Sequence, residues 1–156
     1  MRRWFIRHAT RAMLELLAAL ARVRGDGLAS RAIAALGTAV ARARKVRESQ
    51  SPAELGRTWQ RAFGATKQVP IVAVDETTAY AEIHTRCPLR GTGDVEACHR
   101  MMGYDRAFMD KANAHFVVLR SQAEPGVSVC SVAIRHRQHG VEDLVPAHLR
   151  VRRRTD

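Results

Sequence analysis

Apolar positions follow two different rhythms along this chain, and the change comes near residue 69. Before it, the spacing is helical. Residues 3–24 place Ile6, Met13, Leu17 and Leu20 on one stripe, widened by Leu14, Leu16 and Val23, with arginines filling most of the rest. Gly25-Asp26-Gly27 ends that helix. Residues 28–48 predict a second helix with Ile33, Leu36, Val40 and Ala43 on one face. Ser51, Pro52 and Glu54 make a capping box with proline at the first helical position. The third helix then carries Leu55, Trp59 and Phe63, and Gly64 stops it.

Beyond residue 69 the period shortens. Residues 69–74 are a β-branched run. Residues 78–87 alternate, with Ala81, Ile83, Thr85 and Cys87 on one face and Tyr80, Glu82 and His84 on the other. Residues 88–93 predict a loop, after which Asp94 caps a helix carrying Val95, Cys98, Met101 and Met102. Gly103 breaks it, and residues 105–113 continue helically with Phe108 and Met109. Residues 115–120 and 127–137 predict a β-hairpin around Glu124-Pro125-Gly126. The tail has one apolar run, residues 141–151, and an arginine-rich end. The order ααα-ββ-α-ββ predicts an α+β fold in which N-terminal helices pack on a small antiparallel sheet. At 156 residues a single domain is expected: a basic helical part (1–67), a cysteine-bearing sheet-and-helix part (68–137) and a basic tail (138–156).

Charge separates these parts. Residues 1–67 hold 14 Lys and Arg against 4 Asp and Glu, whereas residues 68–136 hold 7 against 8. The basic front is therefore distinct from the neutral stretch that carries every cysteine. Such a front attracts nucleic acid or anionic lipid in principle, but its arginine-rich segments lack interleaved aromatics for base stacking. Arginine far above lysine, with abundant alanine, is also the usage of a GC-rich genome, so nucleic acid is not the expected partner. No stretch approaches the ~18–20 apolar residues of a membrane span. Arg2-Arg3-Trp4-Phe5-Ile6 is similar to a twin-arginine export signal, but Arg7, His8, Arg11 and Glu15 interrupt any apolar region after it. Three cysteines are an odd number and too few for a disulfide scaffold. The expectation is a cytoplasmic protein with reduced thiols. The widened stripe of the first helix, at Leu14, Leu16 and Val23, also predicts a homodimer through the N-terminal helices.

Periodicity turns all three cysteines toward one interface: Cys87 at a strand end, Cys98 on the stripe of the covering helix, and Cys130 on the inward face of the last strand with Val132 and Ile134. Free cysteine is also a small, often buried hydrophobe, so three core cysteines that never meet fit the same pattern. There is no Cys-x-x-Cys pair, no His-x-x-x-His pair and no phosphate-binding glycine loop. A thiolate nucleophile would need a neighbouring base or helix N-terminus.

The stretch Glu82-Ile83-His84-Thr85-Arg86-Cys87-Pro88-Leu89 resembles the Thr-Arg-Cys-Pro strand end of the L-2-amino-thiazoline-4-carboxylic acid hydrolase-like family. Cys98, Asp105, Phe108, Asn113 and the strand 116–120 continue that family's order, and Gly126 to Cys130 with Val132 and Ile134 resembles its closing strand. The closing pattern is also similar to 4-vinyl reductase-type small-molecule-binding domains. The loop Arg90-Gly91-Thr92-Gly93 and the pair Ser131-Val132 depart from the hydrolase-like pattern. The resemblance, over about residues 54–136, implies a hydrolase that opens a cyclic amidine C–N bond, or else a non-catalytic sensor or carrier of a small molecule. It implies Cys87, Cys98 and Cys130 as nucleophile or as ligands of a metal such as zinc, and Asp105 as acid/base. His84 and His99 follow as further acid/base or substrate-binding groups, and Arg86 as a clamp for a substrate carboxylate. Asp105 can equally serve the start of its helix, and Arg86 can equally be a solvated strand residue.

Overall fold

A computed structural model describes residues 2–23, 27–63 and 66–152. The elements run α1 (Arg2–Arg22), α2 (Leu28–Ala43), α3 (Pro52–Gln60), β1 (Ile71–Val74), β2 (Thr78–Ile83), α4 (Val95–Met101), α5 (Gly103–Asp110), β3 (Ala114–Arg120), β4 (Cys130–His136) and α6 (Ala147–Arg152), with one 3-10 turn at Thr66–Gln68. The fold is α+β, with helices preceding an antiparallel four-stranded sheet of order β1-β2-β4-β3. Gly25, Asp26 and Gly64, expected as helix stops, lie outside the described residues.

Local chemistry accounts for most of the boundaries. The Ser51 hydroxyl accepts from the Glu54 N–H with Pro52 at the first helical position. The capping box is only half formed, because the Glu54 carboxylate takes the Ser49 hydroxyl at 2.6 Å instead of reaching back. Asp94 caps α4, its Oδ1 accepting from the Ala97 N–H at 2.8 Å; such a cap contributes about 1 kcal/mol. Helix α2 stops at Ala43 rather than running to residue 48, and Lys45 takes a left-handed φ of 53° just after it.

Of the three N-terminal helices, α3 lies directly on the sheet, against β1, β2 and β4. Helices α1 and α2 pack one layer further out, mainly on α4 and α5. One core cluster joins Leu17, Ile33, Leu55, Phe108, Phe116 and Ile134, drawing on helices and sheet alike. Trp59 is its centre, fully buried, with its ring 4.9 Å from Phe63 and 5.5 Å from Phe116. Leu16 on α1 and Val23 just past its end, which gave the expectation of a helix-mediated dimer, are exposed, whereas Leu14 is half-buried. No described helix is long and apolar enough to cross a membrane.

Close approach of α2 to α5 depends on Gly37. A Cβ there would run into the Tyr104 carbonyl oxygen and reach its carbon at 3.0 Å. Backbone cannot step aside as a side-chain tip can. Gly37→Ala is therefore expected to destabilise by about 2 kcal/mol through overpacking, read as a lower urea midpoint at unchanged slope. An unchanged midpoint would mean that the two helices do not pack this tightly.

The sheet is buried on both faces around β4. Cys130, Val132 and Ile134 face the helices, while Arg135 on the other face sits beneath the returning chain. Its guanidinium donates to the Thr78 hydroxyl at 2.8 Å, the Gly140 carbonyl at 2.6 Å and both Asp143 oxygens at 2.6 and 2.8 Å. This clip fixes the segment that leads into α6. The residues read as a basic tail include a short helix that packs on α4 and β3.

Candidate functional site

Strand β2 ends at Ile83, whose partner Cys130 is the first residue of β4. With no strand opposite, the chain beyond Ile83 leaves the ladder. Cys87 therefore lies in a loop, four residues past the strand it was expected to end, and Cys130 opens its strand instead of sitting in the middle. The thiols nevertheless gather around one short segment, Ser121-Gln122-Ala123, between β3 and β4. The Gln122 side chain accepts from the Cys87 N–H at 3.0 Å and donates to the Ile83 and Thr85 carbonyls, each at 3.0 Å. Its backbone N–H donates to the Cys130 sulfur at 3.2 Å. Ser121 hydrogen-bonds the Cys98 thiol. Cys98 feels the charge of Cys87, and Cys130 that of both.

Convergence has not made reactive thiols. Burial pushes Cys98 up to about 11 and Cys130 up to about 12, and it also raises Cys87, which is half-buried. All three are thiols at neutral pH, whereas nucleophiles and metal ligands are thiolates. Nor do they fit zinc. Cys87 sulfur accepts the Leu89 N–H at 3.4 Å, Cys130 sulfur accepts the Gln122 N–H, and Cys98 pairs with Ser121, so each already has a local partner. Among the described residues no group of three or more His, Cys, Asp or Glu is arranged to hold a metal ion. The three thiols that the resemblance implied as possible metal ligands are not among such a group.

Cys98 lines a cavity. A space of about 220 Å³ opens at the outer edge of the sheet, between α4, α5, strand β3 and the start of α6. Val95, Phe116 and Val118 supply its apolar wall, with Cys98 and Ser121 beside them. The polar side consists of His99, Arg106, His115 and His148. The rings of His99 and His148 lie 3.8 Å apart at 35°. Arg106 donates to the His99 carbonyl at 2.7 Å and approaches its Nδ1 at 3.4 Å. Desolvation, and then the charge of Arg137, hold the His115 imidazole below its ordinary value, which keeps it a neutral base at neutral pH. Asp110 and Arg137 are paired at the rim.

The remaining expected residues divide. His99 lines the cavity with Cys98. Asp105 lies close behind it without lining it, buried, accepting from the Trp59 indole N–H at 2.9 Å. Desolvation raises its carboxyl to about 6. Its acidic side chain sits in the first turn of α5, yet the helix has no side-chain cap. His84 is exposed outside the cavity, with Nε2 at 2.7 Å from Glu82 Oε2. Arg86 is exposed on the loop and does not line the cavity. Gln122, Arg106, His115 and His148 were not singled out from the sequence. They come from four separate segments, and none belongs to a spaced motif. In comparisons with family models, with curated proteins and with solved structures, nothing matched this chain.

Proposed function

We propose that this chain binds a small carboxylate-bearing organic molecule in the cavity at the edge of β3. The reading is carried by the lining: one apolar wall faces three imidazoles and the Arg106 guanidinium across about 220 Å³. Typical drug-sized sites run to about 300–1,000 Å³, so the ligand is about one substituted ring in size. Arg106 supplies the fork for a carboxylate, and Phe116 and Val118 take the ring face. This is the sensor-or-carrier reading of the sequence, placed at the cavity.

The hydrolase reading is favoured by one further observation, the stacked pair His99–His148 beside Cys98. In that reading imidazole, not thiolate, carries the proton chemistry. A water adds to the carbon of the cyclic amidine while an imidazole takes its proton. The imidazole passes that proton to the ring nitrogen; the adduct's hydroxyl then gives up its own proton, relayed by imidazole to the same nitrogen, as the carbonyl forms and the ring C–N bond breaks to release the amine. The resemblance around Thr85-Arg86-Cys87-Pro88 points to the same substrate class, thiazoline carboxylates.

The test is titration with 2-aminothiazoline-4-carboxylate, followed by imidazole NMR signals and product assay. Binding is expected to move His99, His115 and His148, to weaken at least 10-fold in Arg106→Met, and to be kept in Cys87→Ala. Turnover that survives Cys98→Ala and disappears in His148→Ala supports hydrolysis. Binding without turnover leaves the sensor reading. Signals that move only around Cys87 and Cys130 would sink the cavity assignment, and turnover abolished by Cys87→Ser with binding intact would restore the thiolate.

A further inference from the structure

A second concave site lies away from the β3 edge, where the connector after α2 crosses α3. It encloses about 660 Å³, and five cationic residues line it: Arg44, Lys45, Arg47, Arg57 and Arg61. Its carboxylates are already engaged. Glu54 takes the Ser49 hydroxyl at 2.6 Å, and Glu48 accepts from Asn113 at 2.8 Å and lies 3.2 Å from His136 Nε2. Arg44 donates to the Arg61 carbonyl at 3.0 Å, which holds the connector against the end of α3. The side chains of Lys45, Arg47, Arg57 and Arg61 make no ion pair among the described residues. Like charges gathered around a concavity repel one another, and a bound anion removes that cost.

We infer that this cleft binds a compact polyphosphate anion, two or three phosphates in a row. Arginine forks match phosphate oxygens in pairs, and the volume is that of a small-ligand site. A nucleobase has nothing to stack on, because Phe108, the one aromatic of the lining, is only 1% exposed. The five residues belong to two segments only, 44–47 and 57–61, and Lys45, two residues past the end of α2, takes a left-handed φ within the first of them.

The experiment titrates pyrophosphate, tripolyphosphate and sulfate into the full chain at low salt, by calorimetry. A short single-stranded oligonucleotide is the fourth probe. Tripolyphosphate is expected to bind at least 10-fold more tightly than sulfate. Arg57→Ala with Arg61→Ala should lose at least 10-fold of that affinity. A control, Arg31→Ala with Arg120→Ala, removes the same charge elsewhere and should keep it. Circular dichroism checks that both variants fold. Equal losses in the two variants would reduce the effect to net charge and overturn the site. So would tripolyphosphate binding no better than sulfate. An oligonucleotide that binds more tightly per phosphate than tripolyphosphate would overturn the polyphosphate reading in favour of nucleic acid.

Discussion

Gln122→Leu is expected to lower stability by on the order of 4 kcal/mol, because one side chain satisfies three backbone groups of the Cys87 loop. Gln122 is fully buried. Leucine fills a similar volume but leaves the Cys87 N–H and the Ile83 and Thr85 carbonyls without their partner. Each buried polar group so stranded costs about 1–3 kcal/mol unless water reaches it. The loop lies near the surface, so partial rescue by water keeps the total toward the lower end of the roughly 3–9 kcal/mol that three such groups would cost. The melting temperature should fall by about 10 °C. A second readout is local: the Cys87 thiol should react faster with a disulfide reagent in the variant, because its loop opens before the rest of the chain. Cys98 and Cys130 are 2% and 4% exposed, so they should stay protected until global unfolding. A variant with unchanged stability and unchanged Cys87 reactivity would show that the loop is held by something other than this amide.

The same residue marks the boundary of what the sequence reveals. Elements were legible wherever the signal is local. The Leu55 and Trp59 spacing, the Asp94 cap and the alternation from Thr78 each depend on neighbours within a few positions, and each is found in the structure. The end of β2 is not a local matter. Alternation continues through Thr85 to Cys87, but pairing stops where β4 begins, and only the partner strand's start decides that. The gathering of three cysteines was legible as a shared facing direction. The reason they gather was not, since an isolated glutamine in a turn carries no periodic signal. The cavity was invisible for the same reason. His99 comes from α4, Arg106 from α5, His115 from β3 and His148 from α6. The returning chain that brings α6 to the cavity is clipped beneath the sheet by Arg135, and an arginine on a buried strand carries no sign of its partner until Asp143 is placed opposite it.

Asp105 gives a large expected pH effect in the acidic range. Its carboxyl is buried, with desolvation the main cause of a rise from 3.8 to about 6. The Trp59 indole, and then the Arg106 guanidinium, oppose that rise, and the Asp105 charge in turn raises Tyr104 and Cys98. Between pH 3.8 and about 6 the folded protein binds this proton more tightly than the unfolded chain does. This term of stability is therefore fully present below pH 3.8, falls as pH rises to about 6, and is flat above. The interval corresponds to about 3 kcal/mol. Other acidic groups push the opposite way: Asp143 is held low by its hydrogen bonds to Arg135, and Asp75 and Glu48 are lowered by theirs. The Asp105 contribution is isolated by subtracting Asp105→Asn, whose amide oxygen still accepts from Trp59. Denaturant midpoints measured from pH 4 to pH 8 should show the asparagine variant gaining on the parent by about 2 kcal/mol or more across that window. If the two proteins keep a constant difference from pH 4 to pH 8, the carboxyl is not held protonated by burial. If the variant instead loses ground as pH rises, the ionised Asp105 is a stabilising partner of Arg106, and the arginine beside the cavity depends on that charge.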